Sequence, residues 1–188
     1  MRKANRWGKV GVGARGYADG MDDRSPPGWY VISLRPRGEH DALRRLHGHY
    51  QSMPPVAAMD VRIAGYDGQR LHLHAPLSRH VNDKGCAFGG SLASMMTLAS
   101  WGLVSLHVEA AGIEAEVFVA DSQIRYLAPL FADLDVHAEL APDSNWPGFI
   151  ATLRERGRAR TGLVARALLP DGGIATEFTA RYVAIAKR

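Results

Sequence analysis

Cysteine is almost absent from this 188-residue chain, in which Cys86 is the single example. One thiol cannot build an internal disulfide framework, and such a composition favours a reducing compartment. The N-terminus also lacks the apolar core and small-residue cleavage site of a secretory signal. Zinc-finger, helix-turn-helix and RNA-binding signatures are missing, so the net charge of +4 does not indicate a nucleic-acid partner. The sequence therefore predicts a cytoplasmic protein that does not bind nucleic acid.

Metal-ligand spacings are lacking too. His72 and His74 share one face of a predicted strand, but it is the face opposite Leu71 and Leu73. That face is expected to be exposed to solvent, and no third ligand stands at a suitable spacing. The sequence therefore predicts no metal site.

Charged side chains are missing from the whole stretch between Lys84 and Glu109. Its residues from 89 to 108 are mainly Leu, Met, Ala, Val and Trp, so a membrane span is one interpretation. Serine and threonine dilute the hydrophobicity, however, and amphipathic strands are predicted on both sides. We therefore expect a helix buried on nearly all sides and no membrane partner.

The length and composition favour one folded domain. Hydrophobic residues make up 46% and charged residues 22% of the chain, as in ordinary globular proteins. Residues 1–28 are basic and rich in glycine without sustained periodicity, which predicts a flexible tail. The folded domain is expected over residues 29–188, with order beginning near Trp29.

Periodicity predicts the other elements. Apolar residues at spacings of three and four indicate a helix over Arg37–Met53, and Trp146–Arg156 is expected to form a shorter one. Alternating residues and turns predict six strands, near residues 59–63, 71–74, 116–127, 134–140, 160–169 and 174–185. Six strands can curl around one helix, so we predict an α+β fold in which an antiparallel sheet wraps around the long buried helix.

Two segments carry a resemblance to a known family. HVNDKGCAFGGSLA at residues 80–93 resembles the YiiD C-terminal type of thioesterase in the hotdog superfamily. ADSQIRYLAP at residues 120–129 is similar to the strand after the central helix of that family. The likeness covers roughly residues 38–187. It implies a hotdog fold, hydrolysis of acyl-CoA or acyl-carrier-protein thioesters, no cofactor beyond the coenzyme A moiety of the substrate, and a homodimer or dimer of dimers.

Thioester hydrolysis needs a polarised carbonyl and an activated water. Gly89 and Gly90 open the predicted central helix, where free backbone N–H groups and the helix dipole suit an oxyanion. Asp83 is the preferred general base, with Asn82 orienting the water or the thioester. The alternatives are that the glycines only permit close packing and that Asn82 and Asp83 only shape the loop.

One departure from the resemblance concerns the base. Many hotdog thioesterases carry a carboxylate on the central helix, whereas residues 95–98 of this chain include none. Asp121, which interrupts an apolar strand, is therefore a second candidate, although it could instead be a buried Asp that fixes the loop before the helix. The remaining candidates for substrate contact are Phe88, Ser91, Thr97, Ser122 and Tyr126.

Other functions stay open at this level. A non-catalytic acyl-CoA-binding hotdog module would also lack a helix carboxylate. His80 suggests a hotdog dehydratase or hydratase, since those enzymes use a His together with a carboxylate on the helix. That carboxylate is missing here, so this is the weaker alternative. Cys86 lies near a helix start, where thiolates are stabilised, but we interpret it as a small packing residue.

Overall fold

The structure, a computed structural model, describes residues 37–187. The predicted tail and the predicted start of order near Trp29 lie outside the described residues. A 3-10 turn spans Leu77–Arg79. The other elements, in chain order, are α1 Arg37–Ser52, α2 Pro54–Ala57, β1 Arg62–Tyr66, β2 Arg70–Ala75, α3 Gly89–Ala110, β3 Ala115–Tyr126, β4 Leu134–Leu140, α4 Trp146–Arg156, β5 Arg158–Leu168 and β6 Ile174–Ala186.

The six strands form one antiparallel sheet in the order β1-β2-β4-β5-β6-β3. The short β1 and the twelve-residue β3 are therefore its two edges. The long helix α3 packs against β2 to β6. The predicted α+β architecture, with an antiparallel six-stranded sheet around a long central helix, is confirmed.

Helix α3 is held in the sheet by hydrogen bonds as well as by apolar contact. Tyr50 Oη donates to the carbonyl of Leu98 at 2.8 Å, and Tyr182 Oη donates to the carbonyl of Thr97 at 3.0 Å. Tyr50 approaches so closely because Gly102 has no side chain in its way. By length and composition α3 could cross a membrane, but 56% of the apolar window is buried in the fold.

The first strand begins later than predicted. We expected inward alternation from Met59, whereas β1 starts at Arg62. The preceding residues turn, since Asp60 N–H donates to the carbonyl of Ala57 and Asp60 has a positive φ of 51°. That conformation cannot continue into a strand.

The histidine pair of β2 is half-buried, which corrects the expectation of a solvent-facing pair. His72 Nε2 and His74 Nδ1 lie 3.0 and 3.1 Å from Asp135 Oδ1 on the neighbouring strand. His137, which pairs with His72 in the register, stacks on its ring with centroids 4.1 Å apart. The hydrogen bond from His72 is the main reason that the pKa of Asp135 falls to about 2.

Candidate functional site

Helix α3 begins without a side-chain cap. Phe88 precedes it in an extended conformation and offers no capping hydrogen bond from its side chain. The first backbone bond joins Leu92 N–H to the carbonyl of Phe88. Within residues 37–187, the N–H groups of Gly89, Gly90 and Ser91 therefore have no hydrogen-bond partner. Such N–H groups, at the positive end of the helix dipole, favour an anionic oxygen.

The two glycines also make room for aromatic rings. A Cβ on Gly89 would lie 3.2 Å from Tyr126 Cε1, and a Cβ on Gly90 would overlap the ring of Phe88. Tyr126 Oη donates to the carbonyl of Gly89 at 3.0 Å. Close packing is thus one reason for both glycines. It does not pair the N–H groups, because the rings lie where a Cβ would be and not at the backbone nitrogens.

Asn82 is committed to the loop before α3. Its Oδ1 accepts from the backbone N–H groups of Lys84 at 2.8 Å and Cys86 at 3.3 Å. Gly85 takes a positive φ of 78°, which favours glycine. Asn82 Nδ2 contacts Sγ of the buried Cys86 at 3.3 Å. The loop-shaping interpretation of Asn82 therefore describes what its side chain does in this structure.

Asp83 differs from its neighbour because its carboxylate is open to solvent. Its side chain is 82% exposed, and both oxygens lie 3.2 Å from Lys84 Nζ. An exposed ion pair of this kind contributes about 0–1 kcal/mol. The carboxylate is therefore free to bind water or substrate, although no contact joins it to the start of α3.

Asp121 is exposed, so the alternative of a buried Asp that fixes the loop is wrong. Its Oδ2 accepts from Arg181 Nε at 2.8 Å, and this hydrogen bond is the main reason that the pKa of Asp121 is lowered. Asp121 pairs with the exposed Arg181, whereas Ser122 pairs with the buried Ala180. Directly opposed residues share a face, so Asp121 lies on the outer face and Ser122 on the helix side.

The remaining predicted residues are spread around these groups. Thr97 Oγ1 donates to the carbonyl of Ala93 at 2.9 Å, so its hydroxyl is bonded within α3. His80 is buried, and its Nε2 lies 2.8 Å from the carbonyl of Met59. This histidine anchors the loop to the fold, which does not favour the dehydratase alternative.

A cleft of about 280 Å³ opens beside the start of α3. Gly89 and Tyr126 line it, and they join the two predicted motifs at one place. The sequence reasoning missed its other lining residues, which carry no polar chemistry that could have identified them. They are Ala87, Leu92, Leu127, Ala128, Pro129 and Leu130.

A larger cleft of about 550 Å³ lies at the opposite end of α3, next to Ala111. Its walls include Glu114, Arg154 and Lys187, but none of the predicted site residues. Because α3 is about 33 Å long, this cleft is remote from the unpaired N–H groups. We therefore assign the candidate site to the smaller cleft. Within residues 37–187, no group of three or more His, Cys, Asp or Glu side chains is placed to hold a metal ion.

A central helix in an antiparallel sheet, with an apolar cleft at its uncapped start, defines a hotdog-type protein. Residues 44–186 match the family described as "Putative thioesterase (yiiD_Cterm)". The chain therefore belongs to the YiiD C-terminal thioesterase family, as the two sequence motifs predicted. Thioester hydrolysis is the general class of activity that this membership supports.

Solved structures share this fold. A "putative thioesterase" from Shewanella oneidensis is 28% identical, with a TM-score of 0.70 over 78% of this chain and 99% of that one. A protein of unknown function from Chlorobaculum tepidum is 25% identical, with a TM-score of 0.71 over 80% and 95%. A thioesterase from Haemophilus influenzae, 13% identical with a TM-score of 0.60 over 77% and 90%, shares the fold. The predicted hotdog fold is confirmed.

Proposed function

We propose that this protein hydrolyses acyl thioesters of coenzyme A or of an acyl-carrier protein. The observation that carries the proposal is the uncapped start of α3, where three backbone N–H groups are unpaired and the first of the three residues, Gly89, lines an apolar cleft. The thioester carbonyl oxygen binds at the N–H groups of Gly89, Gly90 and Ser91, and the acyl chain enters the cleft. These donors stabilise the negative charge that develops on the oxygen, and each such donor is typically worth on the order of a hundredfold or more in rate.

Asp83 acts as the general base in this proposal. Its exposed carboxylate takes a proton from water, and the water oxygen forms a bond to the thioester carbon. The carbon–sulfur bond then breaks, and the thiolate leaves and takes up a proton. No cofactor takes part, because the coenzyme A moiety belongs to the substrate.

Asp121 is the less favourable base for two reasons. Its carboxylate is engaged by Arg181, which favours the ionised form and makes it a weaker proton acceptor. It also lies on the outer face of the sheet, away from the helix side.

We further propose that the active form is a homodimer or a dimer of dimers in which β3 pairs with its copy. This edge strand is twelve residues long and exposes Phe118, Val119 and Tyr126 by 45–54%. Long apolar edges are normally covered in soluble proteins. Since Tyr126 also lines the cleft, such a dimer places each site beside the interface.

The second candidate is a non-catalytic module that binds acyl thioesters. It is favoured by one observation, namely that the hydrogen bonds of both candidate bases lead elsewhere, from Asp83 to Lys84 and from Asp121 to Arg181. The cleft and the unpaired N–H groups would serve binding equally well. Turnover therefore separates the two candidates.

The test is the release of free thiol from a panel of short, medium, long and aromatic acyl-CoAs. Replacing Asp83 with Asn should lower kcat by about 10²–10⁴-fold, the usual worth of a positioned base, while acyl-CoA binding is retained. Asp143→Asn, which alters an exposed carboxylate in another loop, is the matched control and should keep full activity. Saturable binding without hydrolysis of any member would instead establish the binding module. Unchanged turnover in Asp83→Asn would remove Asp83 from the mechanism.

A further inference from the structure

The cleft at the start of α3 lies within an apolar patch. Eight large hydrophobic side chains of residues 37–187 are exposed, and five of them belong to the segments 81–88 and 126–131. These two segments flank the cleft, and each contributes lining residues. The five are Val81, Phe88, Tyr126, Leu127 and Phe131. Apolar side chains concentrated at one place mark a site that contacts an apolar ligand or partner.

The floor of the cleft is closed by buried side chains. Leu92 and Leu130 are only 3% and 1% exposed, and Ala87 is 6% exposed. A backbone hydrogen bond of 2.8 Å from Ala87 N–H to the carbonyl of Leu130 ties the two walls together. No Lys, Arg, Asp or Glu lines the cleft. A charged group on the acyl chain would therefore lose hydration without gaining an ion pair from the lining.

We propose that Leu92 and Leu130 set the length of acyl chain that the protein accepts. The inference rests on the proposed function in that the ligand is an acyl thioester. A cleft of 280 Å³ holds about ten methylene-sized groups, if each takes roughly 25 Å³ at the packing density of protein interiors. The substrate class is thus an uncharged acyl chain of short or medium length, and the end of a longer chain stays in solvent.

The length limit is measured by binding, with S-alkyl-CoA thioethers from butyl to hexadecyl as probes that cannot be hydrolysed. Calorimetry of the full chain should show Kd falling with each added methylene, by up to about fourfold, which is the value for complete burial of the group. The gain should stop near octyl to decyl. Affinity that keeps improving to hexadecyl, or that does not depend on chain length, would overturn the inference.

Two truncations test the floor itself. Leu130→Ala removes three carbons and should move the length at which affinity stops improving upward by about two or three methylenes. Leu92→Ala carries the same expectation and serves if Leu130→Ala does not fold. Leu163→Ala is the matched control, because Leu163 is equally buried but does not line the cleft. The assignment of Leu92 and Leu130 would be contradicted if a folded Leu130→Ala or Leu92→Ala protein kept the wild-type length limit. An equal shift of that limit in Leu163→Ala would contradict it as well.

Hydrolysis of the corresponding acyl-CoAs separates this inference from the proposed function. Binding that stops improving at a limiting chain length, without turnover, would support the role of Leu92 and Leu130 and refute the proposed hydrolysis. Turnover that is fastest with palmitoyl-CoA would support the proposed hydrolysis and refute the length limit set by Leu92 and Leu130.

Discussion

Acid should destabilise this protein through His137, whose ring is stacked on His72 on the outer face of the sheet. Burial, followed by the charge of His72, lowers the pKa of His137 to about 4 from the ordinary value of 6.5. Below pH 6.5 the unfolded chain therefore binds a proton at this residue that the folded protein does not bind until about pH 4. The free energy of unfolding consequently decreases as the pH falls from 6.5 to 4.

The size of the effect follows from the gap between the two pKa values. A gap from 6.5 to about 4 corresponds to an upper limit of about 3 kcal/mol, at 1.36 kcal/mol for each unit. The ring is only half-buried, and solvent screening reduces the expected loss to about 1–2 kcal/mol. Asp135 acts in a different window. Its pKa of about 2 lies below the ordinary 3.8, so its contribution is present above pH 3.8 and is lost as the pH falls through 2.

Urea unfolding at pH 7.5 and pH 4.5 isolates His137, because Asp135 stays ionised at both values. His137→Phe keeps an aromatic ring against His72 but cannot titrate. Its loss of stability between the two pH values should be smaller than that of the wild type by about 1–2 kcal/mol. His47→Gln, at an exposed position of α1, is the control and should lose as much as the wild type. The burial of His107 also lowers its pKa, but this contribution cancels between the variants. Equal losses of unfolding free energy between pH 7.5 and pH 4.5 in His137→Phe and the wild type would refute the reasoning.

Two further predictions concern packing and assembly. Gly102→Ala should destabilise the fold by about 1–3 kcal/mol, because the new Cβ would overlap Tyr50 Oη and lie 2.8 Å from Leu71 Cδ2. Gly48→Ala should instead stabilise α1 by up to about 1 kcal/mol, because its Cβ meets nothing within 4 Å. Thermal unfolding measures both variants, and equal changes in their melting temperatures would contradict the packing argument. Val119→Lys should convert the proposed dimer to monomer, because it places a charge on the exposed edge of β3. Light scattering after size exclusion measures the mass, and an unchanged dimer would show that β3 is not the interface.

Local patterns were sufficient to predict the three longer helices and the six strands, although the short helix α2 was not predicted. The charge-free stretch that became α3 predicts a buried helix because an apolar circumference needs contact on every side. Alternation predicted strands such as Leu134–Leu140, in which Leu134, Val136 and Ala138 are indeed buried. The start of β1 was missed because a single positive φ at Asp60 delays the strand, and no periodicity shows such a turn.

The candidate site depended on both levels. The motif around Gly89 and Gly90 identified the start of the central helix, and the structure showed that no side chain caps it. The sequence offered the loop-shaping role of Asn82 only as an alternative, which the structure favours, and it could not show that Asp121 is bound to Arg181. The contact between Asp121 and Arg181 joins residues 60 positions apart, whose proximity is decided by the register of β3 and β6.

The sequence by itself determined the class of fold and the family, since periodicity and two short motifs are local properties of the chain. Only the tertiary structure decided where the cleft lies, because Leu92 and Leu130 are 38 residues apart and line one cleft only when the segment after β3 closes against the start of α3. It also decided the state of the histidines. His72 and His137 become a stacked, half-buried pair because β2 and β4 are neighbours in the sheet, and a stack across two strands has no signature in either strand alone.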